Sequence, residues 1–221
     1  MEYCVLIPSY NEEKTIGHIV DGLRRRGITV YVVDDGSTDK TFEKSQAAGA
    51  IVVRHANNKG KGASLIEGFR HVIKKGFDAV VVMDGDNQHE VSSISDFLRK
   101  MEDTRCDMVI GSRMSDTSSM PFIRKVTNKF MSALISRMSG QNIPDTQCGF
   151  RLIKRRVLES ISLESSNFEI ESEIIIKAAK KGFKIESAPI KTVYKDEKSR
   201  INPFVDTLRF IIFVIRTSLS C

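Results

Sequence analysis

The sequence predicts an α/β protein built on a mainly parallel sheet with helices on both faces. Three observations carry this. Short runs rich in Val and Ile are apolar throughout, without the alternation of a half-exposed strand. Segments with apolar residues three and four apart separate them. Gly27, Gly49 and Gly76 each close a helical segment just before the next strand, as helix C-caps do.

In chain order, strands are expected over residues 3–7, 29–33, 50–54, 79–83 and 107–110. The first intervening helix is carried by Ile16, Ile19, Val20 and Leu23. Further helices are expected to start at Thr38-Asp39 and after Asn58-Lys59-Gly60. Past about residue 115 the rhythm breaks. Residues 120–139 read as one long helix with a stripe of Ile123, Val126, Phe130, Leu134 and Met138. A second helix is expected over 169–181, a strand over 183–190, a basic loop over 191–202, and a last helix from about Pro203. The chain therefore reads as an α/β core with a C-terminal helical extension.

Composition narrows the classes. A chain of 221 residues that is 41% hydrophobic and 28% charged can bury a core, which excludes a disordered chain. No apolar run approaches the roughly 20 residues that span a bilayer. The N-terminus enters an apolar strand without a basic n-region, so neither a signal peptide nor a membrane anchor is expected. Cys4, Cys106, Cys148 and Cys221 are far apart with no CxxC, which argues against a disulfide framework or zinc site and for a reducing, cytosolic compartment. A net charge of +6 suits anionic partners such as nucleotides, lipid phosphates or a membrane surface. Nucleic acid is the poorest of these: the chain has no Trp, only 4 Tyr, and no interleaving of basic and aromatic residues.

Ligands of such sheets bind outside the carboxyl ends of the strands, and the polar clusters sit there. They are Pro8-Ser9-Tyr10-Asn11-Glu12, Asp34-Asp35-Gly36-Ser37-Thr38-Asp39 and Asp84-Gly85-Asp86-Asn87-Gln88-His89. Any one of them reads equally well as turn and cap residues; three on one edge imply a crevice rich in acceptors. Asp84 and Asp86, with a glycine between them, suit a divalent cation such as Mg²⁺ or Mn²⁺, with Gln88 a third oxygen ligand and His89 a weaker alternative. Lys59-Gly60-Lys61-Gly62 has the spacing of neither a P-loop nor a dinucleotide fingerprint. It reads as an exposed turn opening a helix, with its lysines near the ligand but not essential to it.

The ordered set of Pro8-Ser9-Tyr10-Asn11-Glu12, Asp34-Asp35-Gly36-Ser37-Thr38-Asp39, Asn58-x-Gly60-Lys61-Gly62, Asp84-Gly85-Asp86-x-Gln88-His89, Gly111-Ser112-Arg113 and Asp145-x-x-x-Gly149-Phe150-Arg151 resembles family 2 glycosyltransferases with a GT-A fold. Within them it is similar to the dolichyl-phosphate mannose synthase and polyprenyl-phosphate sugar transferase branch. The resemblance spans essentially the whole chain. It implies a single catalytic domain over 1–221, with a nucleotide-sugar half (1–115) and an acceptor half (116–221). It implies that Pro8, Tyr10, Glu12, Asp34, Asp35, Lys61 and Asp84 line the nucleotide sugar, and that Asp84, Asp86 and Gln88 hold the metal. Arg113 would face the acceptor phosphate, Asp145 would lie near the transferred sugar, and Arg200 would contribute from the basic loop, where the branch typically has a Ser-Lys pair and this chain has Ser199-Arg200.

The implied activity is inverting, metal-dependent transfer of a hexose from GDP-mannose or a UDP-hexose to a polyprenyl or dolichyl phosphate. The alternatives are transfer to a saccharide hydroxyl of a glycan, which needs a base carboxylate, and a non-catalytic nucleotide-sugar-binding homologue. Peripheral contact at the cytoplasmic face of a membrane is expected. The 120–139 helix carries Arg124, Lys125, Lys129 and Arg137 beside its stripe, and Phe204, Leu208, Phe210, Ile211, Phe213, Val214 and Ile215 lie on the final segment. Packing as core or dimer helices is the competing reading. Arg24–Arg26, Lys154–Arg156 and Lys180-Lys181 are expected to be solvated faces.

Overall fold

The computed structural model describes residues 1–115, 117, 120–191, 210, 213 and 214. Strands β1 (Tyr3–Ser9), β2 (Thr29–Asp34), β3 (Ile51–Arg54) and β4 (Ala79–Val82) alternate with helices α1 (Ile16–Arg24), α2 (Thr41–Ala47) and α3 (Lys61–Lys75). Then follow α4 (Ser93–Thr104), β5 (Met108–Ser112), α5 (Phe122–Ser139), β6 (Arg151–Lys154), α6 (Arg155–Ser160), α7 (Ile170–Lys180) and β7 (Ile185–Pro189). They form one sheet in the order β3-β2-β1-β4-β6-β5-β7. All pairings are parallel except those of β6, which runs antiparallel to both β4 and β5.

The apolar runs are strands because both faces are covered. Cys4, Val5, Leu6 and Ile7 on β1 and all of β4 are buried. α1 lays Ile16, Ile19, Val20 and Leu23 on the sheet, and each such side chain is worth about 1.5–3 kcal/mol on full burial. α3 approaches β1 so closely that a Cβ on Gly68 would lie 2.4 Å from Leu6 Cδ1. Gly27, Gly49 and Gly76 have the left-handed backbone of helix ends, with φ of 74°, 90° and 82°.

The sequence does not announce β6 and α6. Arg151-Leu152-Ile153-Lys154 has two apolar residues between cations, too few for a strand signal, yet Arg151 is itself a core residue. Its guanidinium donates to the carbonyls of Thr146, Cys148 and Glu171 at 2.9, 2.8 and 2.6 Å. Of Lys154–Arg156, expected as a solvated face, Lys154 ends β6 and is half-buried, while Arg156 is 61% exposed at its side chain and donates to Asp107 Oδ1 from Nε at 2.9 Å and from a second guanidinium nitrogen.

On α5 the first half of the expected stripe faces outward. Phe122, Ile123, Val126 and Phe130 are 79%, 80%, 50% and 68% exposed, and the buried positions are Asn128, Ser132 and Ile135. The inward face is chosen by hydrogen bonds to the segment that follows. Ser132 Oγ accepts Thr146 N at 2.9 Å, and Ser136 Oγ accepts Ile143 N at 3.0 Å. Leu134 and Met138, at the far end of the stripe, pack on the core. Of the expected last helix only Phe210, Phe213 and Val214 are described. They are helical, and Phe210 is buried in the core with the other two packed against it. Among the described residues no helix is long and apolar enough to cross a membrane.

Candidate active site

The carboxyl edge of the sheet gathers the polar clusters. The loop after β1 is stapled to the loop after β2. Asn11, at φ 52°, donates its backbone N–H to Ser37 Oγ and accepts Thr38 N at Oδ1; Glu12 N donates to Thr41 Oγ1 at 2.7 Å. Thr15 Oγ1 donates to Gly85 O at 2.6 Å, tying the same loop to the Asp84–Asp86 turn. Pro8, Tyr10 and Glu12 are half-buried along this loop.

The paired aspartates are turned toward their own loops. Asp34 is fully buried; Oδ1 accepts Ser37 N at 3.0 Å, and Oδ2 lies 3.1 Å from Arg54 Nε without hydrogen-bond alignment. Asp35 accepts Lys59 N and Gly60 N at 2.9 and 2.8 Å and contacts His55 Nδ1 at 2.7 Å. These bonds shape the turn that opens α3, whose N-cap Gly60 has φ 97°.

That turn aims Lys61 at the carboxylates. Its ammonium donates to Asp84 Oδ1 at 2.7 Å and to Glu171 Oε1 at 2.6 Å. Burial opposes the charge on both Lys61 and Asp84. Their attraction, with Glu171 and His89 assisting, outweighs it: Lys61 is held above the usual lysine range and Asp84 well below the usual carboxylate range. Asp86 goes the other way. Burial, then the charge of Asp84, push its carboxyl up, although Gln88 N donates to Oδ1 at 3.0 Å. His89 stacks on Phe150 with centroids 5.1 Å apart, and its Nε2 lies 3.7 Å from Asp84 Oδ2. Gly149 packs closely here: a Cβ would lie 2.5 Å from Asp84 Oδ2 and 2.9 Å from Lys61 Nζ, so any side chain would displace them.

The donor set fits a hard divalent cation. Asp84 and Asp86 on one turn, with the Gln88 amide, offer only oxygen ligands, and the second carboxylate is charged at a cost that a cation would relieve. Among the described residues no three His, Cys, Asp or Glu side chains gather into a metal cluster. Asp84 is instead paired with Lys61.

One edge further, β5 delivers Arg113. Asp145, fully buried, accepts Arg113 Nε at 2.8 Å, a terminal guanidinium nitrogen at 2.9 Å and the Arg113 backbone N–H at 3.0 Å. Asp145 therefore stands behind Arg113 and orients it. β6 begins opposite the ends of β4 and β5, with Arg151 in register with Val82 and Ile110. The segment from Asp145 to Gly149 thus reaches Arg113 at one end and Asp84 at the other. Arg200, Ser199, Tyr194 and Lys195 lie outside the described residues.

With this geometry in hand, comparison with known proteins is decisive. A family model described as "Glycosyl transferase family 2" matches residues 4–162. The chain belongs to glycosyl transferase family 2. It has the GT-A fold and is a glycosyltransferase. It is 30% identical over 215 residues to the UDP-N-acetylglucosamine–dolichyl-phosphate N-acetylglucosaminyltransferase of Methanococcus voltae, covering 87% of this chain and 86% of that protein. It is 30% identical over 200 residues to the polyprenol monophosphomannose synthase of Mycolicibacterium smegmatis, covering 84% and 75%. Among solved structures, glucosyl-3-phosphoglycerate synthase from Mycobacterium tuberculosis, crystallised with Mn²⁺, UDP and phosphoglyceric acid, superposes with a TM-score of 0.72 at 22% identity, over 99% of this chain and 78% of that one. That likeness speaks for the fold alone.

In this glycosyltransferase, sequence reasoning missed Glu171, and it named Arg151 within a motif without its place in the core. Glu171 lies in a run of alternating acids, Glu169, Glu171 and Glu173, at the start of α7, which reads as a solvated helix end. Nothing local marks a partner 110 residues away.

Proposed function

We propose that the protein transfers a hexose from a nucleoside diphosphate sugar to a polyprenyl phosphate, with inversion at the anomeric carbon. The observation that carries this reading is the arrangement along Asp145–Gly149: a braced guanidinium at one end and a carboxylate pair with a lysine at the other. The two relatives described above, named for transfer between activated sugars and lipid phosphates, support it. The donor half is 1–115 and the acceptor half 116–221.

An oxygen of the acceptor phosphate attacks the anomeric carbon as the bond to the diphosphate breaks. Arg113, fixed by Asp145, binds the acceptor phosphate. Lys61 faces the leaving diphosphate. Asp84, Asp86 and Gln88 would hold Mg²⁺ or Mn²⁺, which offsets the charge building on that diphosphate. Pro8, Tyr10 and Glu12 line the nucleoside. An ionised phosphate needs no proton removed. This favours it over a saccharide hydroxyl, because Asp145, the carboxylate expected to serve as base, is fully engaged by Arg113.

The exposed face of α5 supports peripheral docking on the membrane that carries the acceptor. Phe122, Ile123, Val126 and Phe130 stand out of the surface, with Lys125 and Lys129 on the same helix for anionic headgroups. We place the protein at the cytoplasmic face.

The test is calorimetry with GDP-mannose, UDP-glucose and UDP-N-acetylglucosamine, with and without Mn²⁺, followed by assay of the bound donor with a polyprenyl phosphate. One donor should bind in a metal-dependent way and be consumed with formation of a prenyl-phosphate sugar. Failure of folded protein to bind any donor sinks the reading; binding with transfer only to saccharides moves it to the glycan alternative.

A further inference from the structure

We propose that Glu171 is a positioning residue whose task is to keep the Lys61 ammonium beside the donor diphosphate when Asp84 is taken by a cation. The inference rests on the donor reading above and adds a residue from the acceptor half to the donor site.

The geometry begins with a shared proton donor. Lys61 Nζ sits 2.7 Å from Asp84 Oδ1 and 2.6 Å from Glu171 Oε1. The two carboxylates differ in every other respect. Asp84 lies on the turn that carries Asp86 and Gln88. Glu171 is on the first turn of α7, a separate element, and is 9% exposed at its side chain. If Lys61 had Asp84 as its only anchor, a divalent cation arriving at Asp84 would compete for the same carboxylate. The ammonium would then be expelled toward solvent as the diphosphate arrives. With Glu171 present, the cation takes Asp84 and the ammonium remains tethered.

Glu171 is built to stay in place. Its backbone carbonyl accepts the buried Arg151 guanidinium at 2.6 Å, and its carboxylate lies 3.9 Å from another nitrogen of the same group. The loop before α7 is locked as well. Glu173 accepts Glu164 N and Ser165 N at 3.1 and 2.9 Å, and Ser166 O accepts Ala63 N at 3.2 Å. That loop lies against the start of α3, where a Cβ on Gly62 would fall 2.1 Å from Ser165 O. α3 and α7 are thus docked at the one place where Lys61 and Glu171 must meet.

The test is a double-mutant cycle on Lys61→Ala and Glu171→Gln. Its readouts are UDP and GDP affinity by calorimetry in Mn²⁺, and Mn²⁺ affinity from the free-ion paramagnetic resonance signal. Glu171→Gln should weaken nucleotide binding by about tenfold, the scale of one charge-assisted hydrogen bond. It should also weaken Mn²⁺ binding, since Lys61 then falls wholly to Asp84. In the Lys61→Ala background the same change should have almost no further effect on nucleotide binding, because the two act as a unit. Additive losses would mean that Glu171 acts through Arg151 and the fold, and the proposal falls. Equal affinity of Glu171→Gln and wild type also overturns it, leaving the transferase reading intact. If wild type binds neither nucleotide, the donor reading itself fails. Should Glu171→Gln not fold, Glu171→Asp, which keeps the charge one methylene short, is put through the same cycle with the same criteria.

Discussion

The site holds two cation–carboxylate pairs of opposite character. Arg113 and Asp145 form a closed unit: a planar fork on one carboxylate that is fully buried and accepts three hydrogen bonds from a single residue. Lys61 is divided between Asp84 and Glu171, with Asp84 still 26% exposed at its side chain. An arginine in a bidentate grip has one geometry, whereas a lysine is a point charge on a flexible stem. The first pair suits a group that must not move, the second a charge that changes partners as ligands arrive. Fixed and exchangeable electrostatics stand at the two ends of the same short segment.

The largest effect should come from breaking the fixed pair. Asp145→Ala removes the fully buried carboxylate that accepts three hydrogen bonds from Arg113, and unfolding in urea should report a loss of about 3–5 kcal/mol. A loss below about 1 kcal/mol would mean that the pair is not closed. Asp86→Ala is expected to leave the urea midpoint nearly unchanged yet weaken Mn²⁺-dependent nucleotide binding by on the order of a hundredfold, the upper range for disturbing a metal's surroundings. Calorimetry on the variant decides it, and unaltered metal dependence would remove Asp86 from the cation site.

Gly149→Ala tests the exchangeable pair without touching its charges. The new methyl, 2.5 Å from Asp84 Oδ2 and 2.9 Å from Lys61 Nζ, must push them apart. Nucleotide affinity should drop by roughly tenfold, with about 1 kcal/mol or less of stability lost. On the outer surface, Phe122→Ser with Phe130→Ser should leave stability within about 0.5 kcal/mol, since both rings are exposed. Co-sedimentation with anionic liposomes should fall severalfold, and undiminished pelleting would reject α5 as the docking face. The smallest expected signal is none at all. Burial pushes the Cys4 and Cys148 thiols up to about 12, so both should resist a thiol reagent at pH 8 until the protein is unfolded.

The donor side of the fold was readable because its physics is local. β1, β2 and β4 are apolar runs covered on both faces, and their loops carry Asp, Asn and Gly in the order the chain is read. Asp84 with Asp86, and Arg113 with Asp145, could be named from motifs alone. What lay behind them could not. β6 is stabilised by Arg151 reaching three backbone carbonyls, a role that composition reads as surface. α5 turns Asn128, Ser132 and Ile135 inward, with Ser132 and Ser136 held by Thr146 N and Ile143 N, and the first half of its apolar stripe stays at the surface. Glu171 meets Lys61 only because two helices are docked by a loop between them. Each miss turns on a polar side chain whose partner lies outside its own element.

The antiparallel course of β6 has a mechanical consequence. Because this strand enters the sheet at the edge where β4 and β5 leave it, the backbone from Asp145 to Gly149 works as a strap of fixed contour length. Its four peptide steps extend to roughly 14 Å at most. However the surrounding loops shift, the backbone of Asp145, which anchors Arg113, and Gly149, which lies against Asp84, stay within that reach, held by covalent chain and not by packing alone.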